Sequence, residues 1–407
     1  MNFKIRLLIL RYSLMLCLIL GFTAQSVFAQ GRIVIEPIIE TSMWTDSNFY
    51  KSENNELRVH TYSVKPGVKL GYTTDKSLVS LDYVANILRY DDQDTMPVGQ
   101  LDTDEFDYVG HRALFRAQTQ TTEHLLLGLD NLFIKSRDPA SAETNSNAVD
   151  RYKYTMNNFS PRLLYNFGEK FGLGLKYTNL MTDYSSDVVV PGEAEDSDEN
   201  RGTFTLFYYL NPATFFDLDY QIWNRDYDET SSDYDSDQVM VSVNHQFNYF
   251  TVSAGAGYHQ RDFDQTVASG DIDRFIWKFS IAGQNLPGAV GIPKSSMYMD
   301  ISSNLNDSGS GDDYYNAIRF NARFTYLFLE KINCNLSGWF QNSDYETSDR
   351  EDDRWLLSAG ADYLLNDFFT LGLEGGMEDR DSNETGRDFD NKYFMFNIKF
   401  TPNLGAK

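Results

Sequence analysis

The chain has 407 residues, with 35 Lys and Arg against 59 Asp and Glu, for a formal charge of −24. A chain this acidic repels a phosphate backbone, which argues against nucleic-acid binding. Its aromatic content of 15%, with 26 Tyr and 29 Phe, argues against disorder despite the charge.

The first element in chain order is a targeting segment. Lys4, Arg6 and Arg11 form a basic n-region, and Leu14 to Gly21 an apolar core. Val27-Phe28-Ala29 fits a small-residue cleavage site, so residues 1–29 read as a secretory signal peptide and the mature chain starts at Gln30. The apolar run is too short to remain as a spanning anchor. Leu14-Met15-Leu16 before Cys17 lacks the small residue of a lipoprotein site. Cleavage takes the formal charge from −24 to about −27 and leaves Cys334 as the only cysteine, so no internal disulfide is expected. No later apolar run approaches the ~20 residues of a membrane helix.

From Arg32 onward the signal is period-2 alternation. Phe250, Val252, Ala254, Ala256 and Tyr258 alternate with Thr251, Ser253, Gly255, Gly257 and His259. Ile318, Phe320, Ala322, Phe324, Tyr326 and Phe328 alternate with Arg319, Asn321, Arg323 and Thr325. Trp355 to Tyr363 and Phe369 to Met377 repeat the pattern. Pro37, Pro66 and Pro161 fall inside strands and predict bulges or strand ends.

The connections alternate as well. Short turns are expected at Thr73–Lys76, Thr119–Glu123, Gly168–Lys170, Asn211–Thr214, Asn248, Asn285–Gly288, Leu329–Lys331 and Asn366–Asp367. Between them come nine longer acidic loops: Asp46–Leu57, Asp92–Asp104, Asp138–Ala148, Ser185–Asn200, Glu229–Ser232, Gln265–Gly270, Asn306–Asp312, Glu346–Asp353 and Arg380–Arg387. Seventeen connections imply eighteen strands, with sixteen as the alternative, and both termini on the short-turn side. Short turns on one side and long loops on the other are the pattern of a transmembrane β-barrel of a Gram-negative outer membrane. The expected fold is therefore all-β, a single antiparallel up-and-down barrel over residues 30–407. Aromatics beside the short turns, such as Tyr72, Phe167, Phe171, Phe247 and Phe328, suit an interfacial girdle.

An aspartate–aromatic motif recurs where strands border long loops: Asp183-Tyr184, Arg225-Asp226-Tyr227-Asp228, Arg261-Asp262-Phe263-Asp264, Ser343-Asp344-Tyr345-Glu346 and Arg387-Asp388-Phe389-Asp390. The first three lie 43 and 36 residues apart, about one hairpin each. This repeat, with Ser63-Val64-Lys65-Pro66-Gly67-Val68 leading into a hairpin, resembles the group known as putative β-barrel porin 2. The resemblance implies an outer-membrane pore, often associated with exopolysaccharide genes. As partners it implies a saccharide and a periplasmic polysaccharide-export protein. Outer-membrane barrels often end on an aromatic residue; here Phe394, Phe396, Ile398 and Phe400 form the last apolar face, and Thr401–Lys407 follow.

Chemistry of the catalytic kind finds no footing. His60, His111, His124, His245 and His259 are scattered, without metal-ligand spacing, and no nucleophile elbow or phosphate loop occurs. No cofactor is expected. Alternation instead turns Lys65, Lys69, Arg112, Arg116, Arg162, Lys176, Arg225, Arg261, Arg274, Lys278, Arg319 and Arg323 inward, with Trp223 and Trp339. It does the same for Asp82, Asp130, Asp217, Asp219, Asp300, Asp362, Glu374 and Tyr209. Charges lining a pore set its solute preference; paired across the lumen they only stabilise a polar interior. The acidic runs Asp187–Glu199 and Asp349–Asp353 read as solvated surface rather than calcium sites, facing lipid and lipopolysaccharide. The leading expectation is a conduit for exopolysaccharide export. A diffusion or uptake porin and a non-conducting adhesin barrel are the alternatives.

Overall fold

The computed structural model describes residues 31–97, 101–138, 149–185, 195–228, 232–264, 271–284, 294–306, 314–346 and 348–402. The signal segment read at residues 1–29 lies outside them. The first strands are β1 (Arg32–Asp46), β2 (Val59–Thr73), β3 (Ser77–Asp92), β4 (Tyr108–Gln120), β5 (Leu125–Ser136) and β6 (Tyr154–Phe167). Next come β7 (Phe171–Tyr184), β8 (Ser197–Asn211), β9 (Thr214–Tyr227), β10 (Tyr234–Gln246), β11 (Phe250–Phe263) and β12 (Ile272–Gln284). The last are β13 (Ser295–Asn306), β14 (Tyr315–Phe328), β15 (Ile332–Tyr345), β16 (Glu351–Leu364), β17 (Phe369–Ser382) and β18 (Phe389–Phe400). Each strand pairs antiparallel with its neighbours in sequence, and β1 also pairs with β18 over Ile39–Asp46, closing an 18-stranded sheet. Closure leaves no free edge along Ile39–Asp46, while Arg32 to Ile38 of β1 pair with β2 alone.

The ladder fixes which way each side chain points. In β1 the odd residues Ile33, Ile35, Ile39 and Met43 are exposed. Register carries that face to Tyr62, Val64 and Leu70 of β2. Further round it passes through Leu218, Tyr220 and Ile222 of β9, Val239, Val241 and Val243 of β10, Phe324 and Tyr326 of β14, and Phe394, Phe396 and Ile398 of β18. A continuous exposed apolar band of this kind is the lipid-facing wall of a membrane barrel. Where it meets the tight turns, rings pack on one another: Phe247 on Phe250 at 4.5 Å and Phe369 on Phe400 at 4.7 Å between centroids.

The tight turns fall where predicted with one difference. The β12–β13 connection occupies residues 285–294, longer than the turn read at Asn285–Gly288, and all but Lys294 lies outside the described residues. Between β14 and β15, Lys331 N–H donates to the Phe328 carbonyl at 3.1 Å across Leu329 and Glu330, whose φ values are 48° and 56°. Two left-handed central residues give the twist that suits a hairpin. The three strand prolines do not end their strands. Pro66 and Pro161 break one ladder locally: β2–β3 pairing omits Lys65 and Pro66, and β6–β7 omits Ser160 and Pro161. Pro37 pairs with β2 but lies below the stretch of β1 that meets β18.

Above the apolar band the outward face turns acidic. Asp198 stands opposite Asp226, Asp235 opposite Asp262, Asp353 opposite Asp381, and Asp379 opposite Asp390 on neighbouring strands. Like charges directly opposed destabilise a sheet, and they are tolerable only where water screens them. They therefore mark where the wall leaves the hydrocarbon. Several of these acids lie in strands rather than in the loops read from sequence, since β8 begins at Ser197, β16 at Glu351, and β17 runs to Ser382.

Leu218 lies within the band, and Leu218→Arg is expected to cost about 2–4 kcal/mol. Urea unfolding in detergent–lipid micelles should show that loss, whereas Asn335→Arg on the opposite face should show little change.

Candidate functional site

The face opposite the apolar band encloses the lumen. Ladder parity puts Lys65, Lys69, Arg112, Arg116, Arg162 and Lys176 on it. The same holds for Trp223, Arg225, Arg261, Arg274, Lys278, Arg319, Arg323 and Trp339. The structure sorts these residues into two zones.

The extracellular third is packed. Trp223, Tyr227, Tyr234, Ile272, Leu305 and Tyr314 form a buried cluster. Guanidinium planes lie over its rings: Arg201 over Trp223 at 4.1 Å, Arg261 over Tyr234 at 4.0 Å, and Arg225 over Tyr227 at 5.1 Å. Arg319 covers Trp339 at 4.1 Å and donates to Gln341 at 3.0 Å. Arg261 and Arg225 donate to the hydroxyls of Ser236 at 3.2 Å and Ser197 at 3.1 Å. Arg274 is held by Glu346. A cation over a ring is worth most when desolvated, so these arginines are fixed in the wall.

Sequence reasoning missed the tightest part of this zone. Glu378 of β17 is buried and accepts from Arg354 Nε of β16 at 2.8 Å. It also accepts from Lys51 Nζ of the β1–β2 connection at 2.8 Å. Asn48 clamps the same connection to β18, its backbone N–H donating to Asn391 Oδ1 at 3.0 Å. Phe49 anchors it among Leu57, Val59, Leu88 and Tyr90. Asp352 is fully buried against Arg350, and Glu199 accepts from Arg201 at 2.9 Å. Glu195 is buried too, so Glu195, Glu199 and Asp352 are not the solvated surface acids that their acidic runs suggested. Asp187 and Glu193 lie outside the described residues.

Lower down, the lumen wall opens. Arg112, Arg116, Lys176 and Arg323 are exposed, and among the described residues Arg112, Arg116 and Arg323 make no hydrogen bond or ion pair. Three more are compensated: Lys65 pairs with Glu40 at 2.9 Å, Lys69 lies 4.0 Å from Glu36, and Arg162 pairs with Asp130. The carboxylates here largely meet neutral donors. Asp217 accepts from Asn244 at 2.6 Å, Asp219 from Thr205 at 2.6 Å, and Asp300 from Asn321 at 3.0 Å. Among the described residues no group of His, Cys, Asp and Glu is arranged to hold a metal.

Burial holds the Lys51 ammonium below its ordinary value, working against the Glu378 carboxylate that favours the charge. Its folded-state pKa is thus the lower one, so the folded chain sheds this proton first. Stability contributed at Lys51 rises with pH up to the ordinary lysine value of 10.5.

Residues 297–401, from β13 to the end of β18, match the family model described as Putative beta-barrel porin 2. No curated protein matches the chain. Among solved structures, Pseudomonas aeruginosa OpdK with vanillate shares 11% identity, over 91% of this chain and 99% of that one, at a TM-score of 0.49. P. aeruginosa OccK2 (OpdF) in complex with glucuronate shares 10%, over 91% and 98%, at 0.46. Acinetobacter baumannii OccAB2 shares 13%, over 91% and 98%, at 0.48. The closed barrel and the family match together make this chain a porin-like channel of a Gram-negative outer membrane.

Glu378→Gln removes the carboxylate shared by Lys51 and Arg354 and is expected to destabilise by about 3–5 kcal/mol, the penalty for breaking a buried pair; chemical unfolding measures it. Between pH 9 and 10.5 the wild type should gain stability relative to Lys51→Met as pH rises. A flat difference would contradict the burial of that ammonium.

Proposed function

We propose that this outer-membrane barrel is the conduit through which an acidic exopolysaccharide leaves the cell. One observation carries the reading: ladder parity turns nearly all strand cations inward and leaves the outer face acidic. Outward strand positions bear Asp198, Asp226, Asp235, Asp262, Asp353 and Asp381, with few cations among them. The lumen face bears most of the strand arginines and lysines beside fewer carboxylates, and the free ones, Arg112, Arg116 and Arg323, are exposed there. In a chain of formal charge −24, a lumen richer in cations than in acids is set against the bulk composition. Such a wall concentrates anions and excludes cations.

A polyanion suits this layout better than a small ion. Free guanidinium groups occur at several heights, on β4 and β14, so a chain can hand successive carboxylates from one to the next. Tyr209 on the same face, near the tight turns, offers a ring for sugars to stack on, whereas Trp223 and Trp339 are already covered by Arg201 and Arg319. A periplasmic export protein would meet the tight-turn end, where both termini of the barrel lie. Lipid and lipopolysaccharide would cover the outer wall.

In a planar bilayer under a salt gradient, the purified barrel is expected to prefer chloride over potassium and to be blocked by oligouronates. Arg112→Glu/Arg116→Glu/Arg323→Glu should reverse that preference. Cation selectivity in the wild type, or currents indifferent to acidic sugars, would overturn the reading. In cells, deletion should leave polymer in the periplasm; loss of growth on a uronate with normal surface polymer would assign uptake instead.

A further inference from the structure

Beneath the β1–β2 connection lies a lumen-side cavity of about 670 Å³, bounded by β1 to β5 and by β17 and β18. That volume falls within the ~300–1,000 Å³ of small-ligand pockets. We infer that it is a binding chamber for one uronic-acid unit, with Arg112 taking the carboxylate and Tyr108 the face of the sugar ring. The inference rests on the conduit reading and gives that path a discrete station near its extracellular end.

Strand β4 supplies the floor. Tyr108, Gly110 and Arg112 follow one another on the lumen face. Alternate strand residues rise about 6.8 Å, so the ring and the guanidinium are rooted about 13–14 Å apart. The buried glycine between them lets the Tyr108 ring lie down along the strand toward Arg112. A Cβ at Gly110 would stand 3.0 Å from Tyr108 Cε2 and 3.0 Å from the Lys135 carbonyl.

Electrostatics then selects the ligand. Three other cations at the chamber are engaged, Lys65 by Glu40 at 2.9 Å, Lys51 by Glu378 at 2.8 Å, and Arg151 over the Phe49 ring at 4.3 Å, and Lys135 takes the outward parity. Arg112 has no partner among the described residues and is exposed. A planar guanidinium fork matches one carboxylate in bidentate geometry. Across the cavity Glu374 accepts from the Tyr393 hydroxyl at 2.8 Å. A second acceptor of that kind favours a ligand rich in hydroxyl donors and repels one carrying two or more charges. A ring with one carboxylate and several hydroxyls meets both demands. Neutral sugars leave Arg112 unpaired, and phosphosugars face Glu374.

The test is equilibrium binding in detergent micelles by calorimetry, with glucuronate, glucose and glucose 6-phosphate as probes. Glucuronate should bind at least about tenfold more tightly than either of the others. Arg112→Gln should remove that tenfold advantage, about 1.4 kcal/mol. Arg112→Lys, which keeps the charge and loses the fork, should remove most of it. Lys392→Gln on the outer wall should change nothing. Heat-modifiable migration on gels shows that each variant is a folded barrel. Equal binding of glucuronate and glucose, or full glucuronate affinity in folded Arg112→Gln, overturns the chamber. Because binding in micelles needs no current, an anion-selective barrel that binds no glucuronate sinks the chamber alone. Glucuronate binding without conductance sinks the conduit and leaves the chamber standing.

Discussion

Everything in this molecule depends on the ladder between β1 and β18. In hydrocarbon an unpaired backbone N–H or C=O costs several kcal/mol, so a sheet can cross a membrane only if its last strand returns to its first. Ile39 to Asp46 of β1 meet Tyr393 to Phe400 of β18, residues from opposite ends of the sequence. Once that seam closes, the register of every other pair is set, and with it the direction of every side chain. Apolar wall, aromatic girdle, charged lumen and acidic rim are readings of one alternation.

Closure also explains why the lumen is polar yet ordered near its extracellular end. A charge on the inner face cannot reach lipid and need not face open water. It must find a partner or stay hydrated. Near the extracellular end, Arg354, Glu378 and Lys51 do the former, and Arg201, Arg261 and Arg319 lie flat on rings. Toward the turns, Arg116 and Arg323 do the latter. The first group is matched within the fold, so a solute gains little from it. The second group is unmatched, and unmatched charge is what a passing anion can use.

Much of this was legible in the sequence because strand periodicity is local. Phe250 to Tyr258 shows its faces without knowledge of its neighbours, and the alternation of short and long connections gives the strand number. The inward assignment of Arg112 or Lys278 needed only its own strand's parity. What stayed hidden was long-range. Lys51 and Glu378 are 327 residues apart, and Asn48 and Asn391 are 343 apart. No spacing rule joins such pairs before the barrel closes. Strand ends near the rim were also misread, since Glu351 to Asp353 look like loop but continue the ladder above the hydrocarbon, where charge on a strand costs little. The aspartate–aromatic repeat now has a physical basis. Arg225 and Arg261 face inward beside outward Asp226 and Asp262. Arg387 departs from the pattern, lying in the β17–β18 connection with its carbonyl accepting from Arg380 at 2.6 Å.

The opposed carboxylates of the outer rim act in time as well as in space. To reverse its orientation, a finished barrel would have to draw Asp198, Asp226, Asp235, Asp262, Asp353 and Asp381 through hydrocarbon together. Each such transfer costs at least about 2.5 kcal/mol, and the wall offers the outward aspartates almost no cations to travel with. The rim therefore works as a ratchet: orientation is settled once, at insertion, and held kinetically for the life of the protein.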